Sequence, residues 1–134
     1  MIIKSFEYKK IILTQQKIHL LYGENQGHIS DFVDNIFKKK FVDNIYQYEE
    51  PEILNNEEII FNEIQNKSFF ENEKLIIINR VTDKIKNLIE RINEKIIDDV
   101  NIVLTSGVLE KKSKLRSLFE KDKKLTIVAF YKET

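Results

Sequence analysis

The chain has 134 residues and carries 22 Lys and Arg side chains against 22 Asp and Glu, so it lacks the basic excess expected of a dedicated nucleic-acid-binding module. It has no cysteine, which excludes disulfide frameworks, zinc knuckles and thiol nucleophiles and favours a reducing compartment. With 42% hydrophobic and 33% charged residues it is too apolar to be disordered, yet no apolar run is long enough for a transmembrane helix.

The organisation of the chain indicates one domain. The start, Met1-Ile2-Ile3-Lys4, has none of the three regions of a signal peptide, so we expect a cytoplasmic protein with no membrane partner. There is neither a linker rich in Gly, Ser and Pro nor a repeat of fixed period, and the length suits a single core. We therefore expect residues 1–134 to form one domain.

Five segments have the length and the β-branched and aromatic content of strands. In chain order they are Lys17–Gly23, Asp43–Tyr48, Lys74–Arg80, Asn101–Ser106 and Leu125–Tyr131. The residues before Lys17 fit either a short packing helix or an additional strand, through the apolar side chains of Phe6, Tyr8, Ile11 and Ile12. The stretch from Tyr48 to Asn56 holds the only proline, Pro51, and is predicted to be a long loop.

Four segments between the strands have the apolar spacing of amphipathic helices. The two longest stripes consist of Ile29, Phe32, Val33, Ile36 and Phe37, and of Ile85, Leu88, Ile89, Ile92 and Ile96. The two shorter stripes consist of Ile59, Ile60 and Ile64, and of Leu115, Leu118 and Phe119. Strands that alternate with such helices indicate parallel β-α-β units. The expected fold is α/β, a three-layer open parallel sheet of five strands with helices on both faces.

The working edge of such a sheet lies at the carboxyl ends of its strands, and the first predicted strand ends at Gly23. A phosphate-binding loop would lie just after it, in the segment Gly23-Glu24-Asn25-Gln26-Gly27. A functional loop needs a Lys and then a hydroxyl residue after its second glycine, but His28 and Ile29 follow here. We interpret the segment as a degenerate phosphate loop that forms a strand-to-helix turn, with residual anion binding as the alternative.

The third predicted strand ends in Asn79 and Arg80, where an ATPase of this architecture would place acids that hold Mg²⁺ and orient water. Neither side chain can do so, and we interpret the pair as a degenerate acidic-strand end. His19 and His28 are too isolated to indicate a metal site, and no nucleophile has a base at a suitable spacing. The residues therefore predict no catalytic or metal-binding site.

The connector between the second helix and the third strand contains two adjacent aromatic residues, Phe69 and Phe70, directly after Ser68. Neighbouring side chains in a polar connector cannot easily both face one core. Either one ring covers the edge of the sheet while the other caps a helix, or the pair anchors the pocket of a protein partner, as aromatic hot spots do. The spacing alone leaves both interpretations open.

Three segments, taken in order, resemble the delta subunit of bacterial DNA polymerase III. They are Leu20-Leu21-Tyr22-Gly23-Glu24, Ser68-Phe69-Phe70-Glu71-Asn72-Glu73-Lys74-Leu75-Ile76 and Val108-Leu109-Glu110-Lys111-Lys112-Ser113-Lys114-Leu115-Arg116. The resemblance extends over the whole chain but covers only the N-terminal domain of that family, a P-loop-like AAA+ domain. The chain departs from the family at Glu71, where Gly is common, and at Lys74, where Arg is common.

The resemblance implies a non-catalytic clamp-loader subunit that binds no ATP and that binds and opens the β sliding clamp during DNA replication. By position, the clamp-binding residues would be Ser68, Phe69 and Phe70. The resemblance also implies partners among the other clamp-loader subunits, delta-prime and tau/gamma, and it implies no cofactor and no small-molecule substrate. A delta-prime or tau-type subunit would be expected to have zinc-binding cysteines or an intact phosphate loop, and neither occurs here.

Two other functions remain as alternatives. One is a nucleotide-binding ATPase domain with a degenerate loop. The other is DNA binding through basic segments, of which Lys111, Lys112, Lys114 and Arg116 are the candidate contacts with DNA or with another subunit. The simpler interpretation of these lysines is that they are solvated helix ends. Because the net charge is zero, we expect DNA to bind weakly and only within the assembled complex.

Overall fold

The computed structural model describes residues 1–8, 16–41, 44–65, 73–95 and 99–132. Within these residues it contains a six-stranded sheet in which all pairings are parallel. The strands are β1 (Ile2–Lys4), β2 (Ile18–Tyr22), β3 (Ile45–Glu49), β4 (Lys74–Asn79), β5 (Val100–Ser106) and β6 (Leu125–Ala129). Their order across the sheet is β1-β6-β2-β5-β4-β3, so β2 lies in the interior between β6 and β5.

The five predicted strands are all present, and the predicted count of five is corrected to six by β1. This strand pairs in register with β6, Ile3 opposite Val128. It is held at its start by the α-amino group of Met1, which donates to the carbonyl oxygens of Phe119 at 2.7 Å and Leu125 at 2.6 Å. Three residues are too few to show a period, which is why the strand is not visible as a pattern.

The helices cover both faces of the sheet. They are α1 (Gln26–Phe32, continued by a π-helical turn, Val33–Phe37, and a last turn, Lys38–Lys40), α2 (Glu50–Asn55), α3 (Glu58–Gln65), α4 (Lys86–Glu94, preceded by a 3-10 turn, Asp83–Ile85) and α5 (Lys114–Lys121). The predicted α/β class with helices on both faces is confirmed.

The predicted loop from Tyr48 to Asn56 is wrong, because most of it is α2. The helix begins with a capping box in which Glu49 and Glu52 each accept from the backbone of the other, and Pro51 lies in its first turn. Proline is compatible with a first helical turn, where its missing N–H has no helical partner in any case. The proline therefore marks a helix start and not a loop.

Two apolar clusters, one on each face, form the core. On one face the sheet packs against α2, α3, α4 and α5, and on the other against α1 and Tyr8. Successive side chains of a strand point to opposite faces of the sheet, and this is clearest in β4. There Ile76 and Ile78 belong to the first cluster, and Leu75 and Ile77 belong to the second. This strand is buried on both sides, as its continuous apolar run predicts. Among the described residues, no helix has the length and apolar character needed to cross a membrane.

Candidate functional site

The turn after β2 requires glycine at its first position. Gly23 has a φ of 134°, and a Cβ atom there would lie 2.3 Å from the carbonyl oxygen of Phe130. Its N–H donates to the carbonyl oxygen of Gly107 at 3.1 Å, which ties the turn to the end of β5. Gly27 has no such requirement, since a Cβ atom would meet only the Asn25 side chain at 3.9 Å. The two glycines of the predicted loop therefore have different roles.

Several polar groups of this turn are bonded within the protein. The side-chain amide of Gln26 donates to the carbonyl oxygens of Gly23 at 2.7 Å and Ser106 at 3.0 Å. Asn25 caps α1 by accepting from the N–H of His28 at 3.1 Å, and its own N–H donates to the Phe130 carbonyl at 3.2 Å. A phosphate group would have to displace these internal bonds to use the same donors. Glu24, which is exposed at the turn, adds negative charge where a phosphate would approach.

The ends of β4 and β5 are joined by neutral side chains. Asn79 accepts from the hydroxyl of Thr105 at 2.8 Å, and the hydroxyl of Ser106 donates to the Val81 carbonyl at 2.8 Å. Arg80 has a left-handed backbone, with a φ of 55°, and its guanidinium pairs with Glu49 at the end of β3. Asn79 and Arg80 thus cross-link three neighbouring strands. The described residues contain no group of His, Cys, Asp and Glu that could hold a metal ion.

Two acids near this edge have roles that the sequence did not indicate. Glu50 is buried and accepts from the N–H and the hydroxyl of Thr82 at 2.5 and 2.9 Å, which fixes the loop after β4 to the start of α2. Asp83 accepts from the Ser113 hydroxyl at 2.6 Å and from the N–H groups of Lys114 and Leu115, both at 3.1 Å. The hydrogen bond from Ser113 and those from the helix N–H groups lower the pKa of Asp83. The signal that could have indicated this cap is Ser113 itself, which directly precedes an amphipathic helix.

The basic residues before and within α5 differ in their surroundings. Arg116 donates to the Leu109 carbonyl at 2.8 Å and to Glu120 at 3.2 Å, and its guanidinium lies 5.4 Å from the Tyr22 ring centroid. These contacts give Arg116 a structural role within the fold. Lys111, Lys112 and Lys114 are exposed, and Lys112 pairs loosely with Glu110 at 3.5 Å.

His19 lies in the core. Its Nδ1 is 2.6 Å from the Tyr8 hydroxyl and its Nε2 is 3.0 Å from the Gln16 carbonyl oxygen. Because a carbonyl can only accept, Nε2 carries the proton and Nδ1 accepts from Tyr8. Burial lowers the pKa of His19 to about 4. The other histidine, His28, packs edge-on against the Phe130 ring with 4.9 Å between the centroids.

The predicted clamp-binding residues Ser68, Phe69 and Phe70 lie outside the described residues. The structure describes the two ends of their connector. Helix α3 ends at Gln65, and β4 begins at Lys74. The Lys74 side chain lies on the face of the sheet that α3 covers, since its ammonium group reaches Glu63.

Comparison with known proteins identifies the family. No curated protein sequence matches the chain. Among solved structures, it is similar to the DNA clamp loader delta protein (YqeN) of Bacillus subtilis, with a TM-score of 0.73 and 14% sequence identity. The match covers 96% of this chain but only 42% of that protein, so the chain spans less than half the length of its structural relative. Residues 19–130 match the family described as DNA polymerase III, delta subunit, and the chain therefore belongs to that family.

Proposed function

We propose that the chain is the part of a clamp-loader delta subunit that binds the β sliding clamp and opens it during DNA replication. The observation that carries the proposal is membership of the delta-subunit family over residues 19–130. Clamp binding is assigned to Phe69 and Phe70, with Ser68 before them. The proposed setting is the cytoplasm, within a complex that also contains delta-prime and tau/gamma subunits.

A role without ATP chemistry is supported by the geometry of the turn after β2. The side-chain amide of Gln26 already donates to the carbonyl oxygens of Gly23 and Ser106, and the N–H of His28 already donates to Asn25, so these donors are engaged within the protein. At the end of β4, Asn79 and Arg80 supply no carboxylate for Mg²⁺. We therefore assign ATP binding to the other subunits of the loader and a non-catalytic role to this one.

The proposed mechanism is binding of a strained form of the clamp. Phe69 and Phe70 fill an apolar pocket on the clamp, and contacts beside that pocket favour the distorted clamp interface over the closed one. A partner shifts such an equilibrium only by its difference in affinity for the two states. ATP binding by the other subunits controls when the pair becomes accessible.

The test is calorimetric titration of the cognate β sliding clamp with this chain. Each of the substitutions Phe69→Ala and Phe70→Ala is expected to cost about 2 kcal/mol or more, which is about a thirtyfold loss of affinity. The matched control is the pair Phe6→Ala and Tyr131→Ala, because these two aromatic side chains are 79% and 77% exposed elsewhere on the surface. Clamp binding by the Phe69→Ala/Phe70→Ala variant at the wild-type affinity would refute the assignment. A titration with ATP and Mg²⁺ that gave saturable heat would instead favour the ATPase alternative.

A further inference from the structure

The first residue of β4, Lys74, is a lysine that is only 3% exposed. Its ammonium group donates to the backbone carbonyl oxygen of Glu63 at 2.8 Å and lies 3.7 Å from the Glu63 carboxylate. It also lies 5.5 Å from the centroid of the Tyr46 ring, within the range of a cation–π contact. Lysine is almost never fully buried unless it is paired, so this side chain has a specific task.

The contacts of Lys74 connect the two ends of one connector. Glu63 lies in the last turn of α3, which ends at Gln65, whereas Lys74 starts the strand that follows the connector. The bond from the Lys74 ammonium to the Glu63 carbonyl therefore joins the helix end to the strand start. A cation at this place is favoured twice, because the last carbonyls of a helix have no helical partner and carry partial negative charge.

The strand end of the connector is fixed by two more bonds. The backbone N–H of Lys74 donates to the carbonyl of Asp99 at 2.8 Å, and the carboxylate of Glu73 accepts from the side chain of Asn101 at 3.0 Å. Asn101 lies in β5 and is only 5% exposed, so this anchor belongs to the core of the sheet. The described residues that flank the connector thus belong to a frame of three elements, α3, β4 and β5.

A methionine or leucine would fill the space of the Lys74 side chain without the cost of removing an ammonium group from water. What the ammonium adds is a directional bond between two elements. Buried hydrogen bonds of this kind fix the relative position of the two elements they join more than they add to the stability of the fold. For a segment that binds a partner, fixed ends lower the ordering cost at the moment of binding.

We propose that Lys74 is a positioning residue for clamp binding, which it supports by holding the two ends of the 66–73 connector at a fixed separation. This inference rests on the proposed function, because it assigns Lys74 a task in presenting Phe69 and Phe70. Lys74 does not touch the clamp. Its contribution is the geometry of the frame from which the pair reaches the pocket.

The test is a double-mutant cycle on the full chain, with clamp affinity measured by surface plasmon resonance. Lys74→Met is expected to weaken clamp binding about tenfold in the wild-type background and less than about twofold in the Phe69→Ala/Phe70→Ala background. Lys74→Arg keeps a cationic donor and is expected to stay within about threefold of wild type. The matched control is Lys40→Met, since Lys40 lies 5.3 Å from the Phe41 ring on another part of the surface.

The outcomes separate the two proposals. Loss of binding in the double alanine variant but not in Lys74→Met overturns the role of Lys74 and leaves the proposed function intact. An equal loss from Lys74→Met in both backgrounds makes Lys74 merely structural and also overturns its role. Unchanged binding by the double alanine variant overturns both. If circular dichroism shows that Lys74→Met does not fold, Glu73→Ala, which removes the bond between the strand end of the connector and Asn101, is measured with the same expectations.

Discussion

Acid will destabilise this fold through one buried histidine. Burial holds the pKa of His19 at about 4, against 6.5 for an exposed histidine. Above pH 6.5 the ring is neutral in both the folded and the unfolded chain. Between pH 6.5 and 4 the unfolded chain binds a proton that the folded chain does not, so the free energy of unfolding falls as the pH falls. The difference of about 2.5 between the two pKa values, at 1.36 kcal/mol for each pH unit, predicts that about 3 kcal/mol of stability is lost by pH 4.

The environment of His19 explains why its pKa is lowered and not raised. The neutral ring has both nitrogens bonded, Nδ1 to the hydroxyl of Tyr8 and Nε2 to the carbonyl of Gln16. A second ring proton would face the Tyr8 hydroxyl, which now donates to that nitrogen. Burial would also remove the added charge from water, and this loss of solvation is the largest cause of the lowered pKa. The positive charges of Lys40 and Lys17 lower the pKa further.

The measurement is urea denaturation between pH 4 and 7.5, with His19→Gln as the comparison. Carboxylates also titrate in this range, but they are common to both proteins and cancel in the difference. The wild type should lose about 3 kcal/mol more than His19→Gln between pH 7 and 4. A difference below about 1 kcal/mol would show that His19 is not kept neutral by the fold.

Two further predictions concern the carboxyl edge of the sheet. Gly23→Ala should lower the free energy of unfolding by about 2–4 kcal/mol in thermal or urea unfolding, because the left-handed φ and the 2.3 Å approach to Phe130 both oppose a Cβ atom. The control Gly27→Ala should stay within about 1 kcal/mol of wild type. Similar losses of stability in the two variants would contradict the assigned geometry. Asp83→Ala should cost about 1 kcal/mol of unfolding free energy, because it removes the carboxylate that accepts from the first N–H groups of α5. Glu110→Ala, at an exposed neighbouring acid, should have no measurable effect. An Asp83→Ala variant as stable as wild type would refute the capping role.

The sequence predicted the elements whose residues carry a period. The α1 stripe from Ile29 to Phe37 and the apolar run in β4 are long enough to define a face, and both are buried as expected. Strand β1 was beyond this kind of reasoning, because its place is fixed by contacts of Met1 with carbonyls more than a hundred residues away. Helix α2 was missed for a different reason. Its capping box, Glu49 and Glu52, was present in the sequence but was outweighed by Pro51.

The sequence shows which residues of a functional phosphate loop are missing, but it does not show which side chains bond the turn in their place. The missing lysine after Gly27 and the neutral end of β4 are visible in the sequence. The two hydrogen bonds of the Gln26 side-chain amide reach residues that are 3 and 80 positions away. The hydrogen bonds of Asp83 reach residues about 30 positions away. Glutamine and aspartate occur throughout such a polar chain, so only the folded geometry distinguishes these two from their solvated counterparts.

The internal bonds at the carboxyl edge have a consequence for the proposed mechanism. In a nucleotide-binding domain of this architecture, phosphate organises the turn after the first strand of the nucleotide site, so its loss can move the surrounding loops. Here Gln26 holds that turn, Thr105 and Asn79 join the neighbouring strands, and Asp83 holds the start of α5. Side chains of the protein itself therefore hold this edge where a nucleotide-binding domain would use phosphate. Under the proposed function, we therefore expect this edge of the sheet to keep its geometry, and the step that exposes the clamp-binding residues does not require the edge to rearrange.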